Sequence, residues 1–251
     1  MNREAVEQLQ QMINESRKIV FFGGAGVSTE SGIPDFRSKD GLFAQKEKYS
    51  PRRILSKPFY MSKPEAFYDF YRRKMLWPGI EPNRAHFKLA ELEAAGKLTA
   101  VITQNIDGLH QAAGSSNVLE LHGSIHRNYC RKCGAVYDMD YMLHTEGIPK
   151  CTCGGVIKPD VVLYEERLDS KVIAEAIACV KEADMLIIGG TSLSVHPAAG
   201  IIKHFKGKHR VLINRDIRGL EYRAKLVISA SLGEIVGEIQ VNPDSREEAF
   251  G

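Results

Sequence analysis

Five short apolar runs, each ending at a glycine or a polar turn, constrain the fold of this chain more than any other feature. They are Lys18-Ile19-Val20-Phe21-Phe22, Ala100-Val101-Ile102-Thr103, Met185-Leu186-Ile187-Ile188-Gly189, Arg210-Val211-Leu212-Ile213-Asn214 and Lys225-Leu226-Val227-Ile228. Unbroken apolar runs of this length, rich in β-branched residues, read as strands buried on both faces, which is the condition of a parallel sheet. Helical patterns lie between most of them. Residues 3–17 repeat Val6, Leu9, Met12 and Ile13, residues 83–95 repeat Ala85, Leu89 and Leu92, and residues 169–182 repeat Val172, Ile173, Ala176 and Val180. Strands alternating with helices imply an α/β protein with a doubly wound, Rossmann-like parallel sheet. Ligands of such sheets bind outside the carboxyl ends of the strands. Here those ends are Gly23–Gly26, Gln104–Asp107, Gly190–Ser194 and Asn214.

Two segments interrupt the alternation. Residues 38–82, with Phe43, Tyr49, Phe59, Tyr60, Phe67, Tyr68, Phe70, Tyr71 and Trp77, read as a helical insertion or lid. Residues 123–159 hold four of the five cysteines and little else from which to build a core. The expected organisation is a discontinuous domain, 1–122 and 160–251, with a small zinc-binding module at 123–159. The polar stretch 241–251 is expected to fray.

Composition excludes several classes. An apolar fraction of 43% and a charged fraction of 26% belong to an ordered globular protein. No apolar run approaches the roughly 18 residues that span a bilayer. The charged N-terminus, Met1 to Glu7, lacks the apolar core of a secretory signal, so a cytoplasmic location is expected and no membrane partner. A net charge of +3, with basic and acidic residues well mixed, does not suggest specific nucleic-acid binding. A monomer is the expected state of assembly.

Cys130-Arg131-Lys132-Cys133 and Cys151-Thr152-Cys153-Gly154-Gly155 form two knuckles. Each bends the backbone so that two thiolates face one cation, and two knuckles complete a tetrahedron. Because all four ligands are protein thiolates, the expected zinc is structural, one per chain, and holds together a module too small to fold alone. The glycine turn Gly23-Gly24-Ala25-Gly26-Val27-Ser28-Thr29 comes after a strand and before an expected helix, where backbone N–H groups can approach a pyrophosphate. It departs from the dinucleotide fingerprint at Thr29, where a third glycine belongs, and the same turn can exist with no ligand. Phe36 and Arg37, next along the chain, suit shielding a reactive carbon and neutralising phosphate; on composition alone, core packing for Phe36 and a surface charge for Arg37 are the better explanation. Thr103-Gln104-Asn105-Ile106-Asp107 places three polar side chains at a strand exit that does not need them for stability. His122, between Leu121 and Gly123, stands at the junction with the cysteine module, where pockets form. Cys179 and His196 have no assigned role, and packing is the default for both.

Taken in order, Gly24-Ala25-Gly26-Val27-Ser28, Gly32-Ile33-Pro34-Asp35-Phe36-Arg37, Thr103-Gln104-Asn105-Ile106-Asp107, Leu121-His122-Gly123 and Gly190-Thr191-Ser192-Leu193 resemble the sirtuins, NAD-dependent protein lysine deacylases. The resemblance covers nearly the whole chain and is of the bacterial or archaeal type. It implies that NAD is consumed as a co-substrate and that acyl groups pass from protein lysines to ADP-ribose. It also implies contacts to NAD from Gly24, Ala25, Gly26, Thr29, Phe36 and Arg37 near the pyrophosphate and nicotinamide ribose. Gln104 would touch the ribose, while Ile106 and Asp107 would hold the carboxamide. Gly190, Thr191, Ser192, Asn214 and Arg215 would serve the adenosine half. His122 becomes the general base for a ribose hydroxyl, a role suited to a group that titrates near neutrality, and Asn105 positions the ribose or water. The substrate peptide would lie extended between Val161-Val162-Leu163-Tyr164 and Ser192-Leu193-Ser194-Val195, adding a strand to both.

Sirtuins that prefer succinyl or malonyl groups carry a Tyr-x-x-Arg pair. Here Tyr68 is followed three residues later by Tyr71, with Arg72 one step late, so acetyl or another neutral acyl group is expected. Two rivals remain at this level. One is an NAD glycohydrolase or mono-ADP-ribosyltransferase using the same pocket. The other is a zinc-stabilised nucleic-acid module gripping phosphate through Arg127, Arg131 and Lys132.

Overall fold

The computed structural model describes residues 3–217, 219–220 and 224–241. The tail expected to fray lies outside them beyond Val241. The strands are β1 (Ile19–Gly23), β2 (Leu98–Thr103), β3 (Val118–Glu120), β4 (Gly123–Cys130), β5 (Val136–Tyr137), β6 (Ile157–Val161), β7 (Met185–Gly189), β8 (His209–Ile213) and β9 (Leu226–Ile228). The helices are α1 (Arg3–Glu15), α2 (Pro51–Ile54), α3 (Lys57–Ser62), α4 (Pro64–Lys74), α5 (Arg84–Ala94), α6 (Leu109–Ala112), α7 (Met139–His144), α8 (Ser170–Glu182) and α9 (Leu232–Val236).

All five apolar runs are strands of one six-stranded parallel sheet, ordered β3-β2-β1-β7-β8-β9. Side chains alternate across it because the strand period is two. Ile19 and Phe21 enter the layer that also holds Leu9 and Ile13 of α1 and Leu89 and Leu92 of α5. Val20 and Phe22 enter the opposite layer with Ala176 and Val180 of α8. Both faces are covered, which is why the strands read as unbroken apolar runs. The helices start where capping permits: Asn83 accepts from Ala85 N ahead of α5, and Asp169 from Lys171 N ahead of α8. The sixth strand, β3, has no signature in the sequence because three residues are too short to show a period.

The order reverses between β1 and β7, and there the two strand ends touch. Gly24 N donates to Gly189 O, and Gly26 N donates to Gly190 O at 2.8 Å. A Cβ on Gly26 would stand 2.7 Å from Gly190 Cα, and Gly190 itself has φ +60°. Only glycine allows this approach. The segment after the turn is a 3-10 helix, Ala25–Ser31, rather than the expected α-helix. Pinned to β7 at its start and closed by Gly32 at φ +95°, it has room for no longer run.

The cysteine module is an antiparallel sheet, β5-β4-β6, with α7. β6 carries it to Val161, two residues past the expected edge. The module also has a core, contrary to expectation, because it borrows one. Ile125, Met142 and Ile157 pack with Phe59, Phe67 and Tyr71 of the helical insertion in one cluster. The Tyr68 hydroxyl donates to Ile157 O at 2.7 Å, and the Arg72 guanidinium donates to Met142 O and Gly147 O. Among the described residues, no helix is long and apolar enough to cross a membrane.

Candidate active site

A cleft of about 990 Å³ opens at the carboxyl ends of β1, β2, β7 and β8, bounded on its far side by the insertion and the 161–166 segment. This is the position a doubly wound sheet reserves for its ligand. From the glycine turn and the segment after it, Ala25, Gly26, Thr29, Phe36 and Arg37 line it. The strand exit contributes Gln104, Asn105, Ile106 and Asp107, joined by His122. Gly190, Thr191, Ser192, Asn214 and Arg215 line the side below β7 and β8, and Val161, Val162, Leu163, Tyr164 and Val195 line the opposite end. Two residues expected here do not line the cleft. Gly24 lies against Thr191, and Leu193 is buried in the apolar layer under α8.

Asn105 is buried, its N–H donating to the Thr103 hydroxyl and its side-chain amide to the Ser28 hydroxyl at 3.0 Å. Ser28 in turn donates to Asp107 Oδ2 at 2.7 Å. Asp107 Oδ1 accepts from Leu109 N, and its carbonyl faces His126 Nε2 at 2.9 Å. The two polar side chains of the strand exit are thus joined through a serine of the glycine turn to which sequence alone assigns no role. Its signal is tertiary, since Ser28 and Asn105 are 77 positions apart.

His122 Nδ1 lies 2.9 Å from Gln104 O. A carbonyl only accepts, so Nδ1 carries the proton, and in the neutral ring Nε2 is left as the acceptor. Burial pushes the His122 pKa below its ordinary value, and the bond to Gln104 O offsets only part of this. The imidazole is therefore a free base at neutral pH. Gly123 comes next at φ +76°, where a Cβ would lie within 2 Å of Asp160 O. The turn that aims His122 thus requires glycine at the next position.

Three further contacts shape the cleft. Gln104 Oε1 meets the Thr191 hydroxyl at 3.4 Å, while its Nε2 is buried without a partner. An orphaned donor in the cleft wall fits a ligand that accepts, such as a ribose hydroxyl or a carboxamide oxygen. Arg37 reaches across the mouth to the Ser192 hydroxyl at 3.2 Å, and Phe36 packs edge-on against Phe43. Asn214 Nδ2 donates to Thr191 O and Asp216 O, and Arg215 Nε to the Ser231 hydroxyl. The N–H groups of Gly24 and Gly26 are spent on β7, so these glycines serve by close approach, not as donors.

Both segments expected to flank an extended peptide have backbone groups already paired within the protein. Val162 N donates to His122 O, and both the N–H and carbonyl of Tyr164 are engaged with Leu55 and Lys57. On the other side the chain is not a strand, because Leu193 has φ +52° and its N–H turns back to the Thr191 hydroxyl.

The four cysteine sulfurs lie within 4.8 Å of one another, with Cys130–Cys153 and Cys133–Cys151 each at 3.5 Å. A tetrahedron with Zn–S arms of about 2.3 Å has edges of about 3.8 Å, so the donor set and its size fit zinc. No protein group leaves a coordination position open, and the cluster is not part of the cleft lining.

A parallel sheet with a ligand cleft at its switch point, a base in that cleft and a separate four-thiolate centre define a nucleotide-dependent α/β enzyme stabilised by metal. The Sir2 family model matches residues 24–197, and the chain belongs to that family. An NAD-dependent protein deacetylase of Clostridium perfringens is 54% identical over 240 residues, covering 94% of this chain and 98% of the relative. A solved Sir2 complex with a p53 peptide and NAD+ superposes with a TM-score of 0.81 at 36% identity, covering 92% of this chain and 95% of the other. A histidine-to-alanine Sir2 variant holding a deacetylated p53 peptide and 3′-O-acetyl ADP-ribose gives 0.83 at 37%, covering 92% and 95%.

Proposed function

We propose that this protein removes acetyl and other neutral acyl groups from protein lysines, consuming NAD and releasing nicotinamide and O-acyl-ADP-ribose. It is an NAD-dependent protein deacetylase with a structural zinc. The observation that carries the chemistry is the His122 imidazole, held by Gln104 O so that Nε2 is an acceptor within the cleft. In this reading Nε2 takes a proton from a ribose hydroxyl, making that oxygen the nucleophile toward the acyl carbon. Asn105, fixed through Ser28, orients the ribose or water. Ile106 and Asp107 hold the carboxamide, Phe36 shields the reacting carbon from water, and Arg37 meets the pyrophosphate. Thr191, Ser192, Asn214 and Arg215 receive the adenosine half. The peptide lies along Val161–Tyr164.

The preference for neutral acyl groups is supported by Tyr68 and Arg72. Their polar atoms bond to backbone carbonyls of the cysteine module and are not in the cleft lining, so they offer nothing to an acyl carboxylate. A nucleic-acid role for Arg127 is disfavoured, because its guanidinium is neutralised by Glu120 and Asp160.

Incubation with NAD and an acetyl-lysine peptide, followed by mass spectrometry, tests the reading. Nicotinamide and O-acetyl-ADP-ribose should appear in equal amounts. His122→Ala should lower acetyl transfer by about 10²–10⁴-fold. Because the His122 pKa is depressed, the acid limb of kcat/KM should fall below the ordinary histidine value of about 6.5. Free ADP-ribose formed equally fast without peptide would replace this reading with a glycohydrolase.

A further inference from the structure

The segment from Lys48 to Lys63 carries five cations, Lys48, Arg52, Arg53, Lys57 and Lys63. Among the described residues none of the five has a carboxylate partner, although Arg73 on the adjoining α4 is held by both Glu47 and Asp69. Lys48, Arg53 and Lys63 converge on the Tyr49 ring, at 5.8, 5.4 and 5.3 Å from its centroid. The Lys63 ammonium, with Lys48 and Arg53 behind it, holds the Tyr49 phenol below its ordinary range, as a site of net positive potential must. Arg52 lies 5.3 Å over the ring of Tyr164.

Two of these cations, Arg52 and Arg53, border a hollow. A space of about 410 Å³ lies between Ser50, Arg52, Arg53 and Ser56 on one side and Tyr164 and Glu165 on the other. Tyr164 and Glu165 also line the main cleft, so the hollow adjoins that cleft beside the segment assigned to the peptide. Ser50 precedes α2 without capping it, leaving its hydroxyl for another acceptor. The lining holds two guanidiniums against one carboxylate, Glu165. Paired guanidinium forks in a concave site match the two oxygens of a carboxylate. Nucleic acid would instead call for a long stripe of charge with interleaved aromatics, whereas this charge is gathered beside the peptide cleft.

We propose that this hollow receives an acidic side chain, aspartate or glutamate, carried by the substrate polypeptide beside its acyl-lysine. The proposal rests on the deacylase reading and extends it: the preferred substrates are acyl-lysines with an acidic neighbour on the side that passes Arg52 and Arg53. Exposed pairs are worth little singly, so the effect is one of several cations acting together.

The test is a set of acetyl-lysine peptides in which glutamate, glutamine or lysine is moved through the flanking positions. Affinity is read by fluorescence anisotropy and turnover by product formation. One position on one side should favour glutamate over lysine by about threefold to tenfold in Kd and kcat/KM, an effect that shrinks near 1 M salt, where the Debye length is about 3 Å. Arg53→Glu should reverse the preference at that position, and Arg52→Gln should flatten it. A flat profile, or a preference unchanged in Arg53→Glu, overturns the proposal and leaves the deacylase reading standing. Peptide preference in Kd with no acetyl-ADP-ribose formed would do the reverse. Duplex DNA binding that is lost in Arg53→Glu, with no peptide preference, would assign the patch to nucleic acid and also overturn it.

Discussion

Ser28 shows how much one hydroxyl can organise. It donates to Asp107 and accepts from Asn105, so two polar groups at the end of a buried strand are each held to one rotamer by the same oxygen. Removing it leaves the Asn105 amide and one Asp107 oxygen without that partner in a largely dry place, at about 1–3 kcal/mol for each group left unsatisfied. Ser28→Ala should therefore lower the urea midpoint and reduce kcat/KM on the order of 10²-fold through misplacement of the strand exit. Wild-type values for both would show that Asn105 and Asp107 are positioned by something else. At this scale the sequence was informative about chemistry and silent about contact. Gln104, Asn105 and Asp107 stood out because a strand end has no structural need for them, and His122 because it sits at the junction with the cysteine module. Nothing within a window of neighbours announced that Ser28 completes the set.

At the scale of elements, the insertion and the cysteine module form one unit. Phe67 and Tyr71 of α4 pack against Ile125, Met142 and Ile157 of the module, and Tyr68 and Arg72 bond to its backbone. Metal should therefore stabilise both, since a ligand cluster that forms only in the folded state adds its binding energy to folding. Chelation, or Cys151→Ser, should remove about one zinc per chain and loosen the insertion as well. Trp77, the single tryptophan, lines the cleft just past α4 and should report this as a changed emission. Metal-free protein with unchanged Trp77 emission and an unchanged unfolding transition would mean the two parts are independent. Long periodic elements such as α1, α5 and α8 were legible because burial imposes a period. The 3-10 helix and β3 were not, because backbone pinning by β7 and a neighbouring strand, not their own residues, decide them.

Across the whole molecule, the stability of the fold should depend on two histidines that the chemistry does not use. His86 of α5 and His110 of α6 are buried with ring centroids 4.7 Å apart. Burial is the main cause that lowers the His86 pKa to about 4 and the His110 pKa to about 3, with the neighbouring ring adding to the second. In the unfolded chain both titrate near 6.5. Their contribution is thus complete above about pH 6.5 and is lost as pH falls toward the folded values, since the unfolded state then binds more protons. The unfolding free energy from urea titration should fall steadily from pH 7 to pH 5, by up to about 1.4 kcal/mol per pH unit for each histidine. His110→Asn should make the dependence shallower, and an equally steep profile in that variant would point to other groups.

The sequence by itself determined the class of fold, the parallel sheet with helices on both faces, because burial on two sides forces continuous apolar runs. It also determined the zinc centre, because thiolate spacing is local geometry. Its resemblance to the sirtuins pointed to the chemistry. Tertiary structure alone decided that Gly26 and Gly190 meet at the switch point, that Leu193 turns inward instead of extending, and that Ser28 locks Asn105 to Asp107. It also decided that Arg52 and Arg53 face Tyr164 and Glu165 across a hollow. Each of these is a relation between distant segments, set by how closely two backbones approach, and no period or motif in a single stretch of chain encodes that distance.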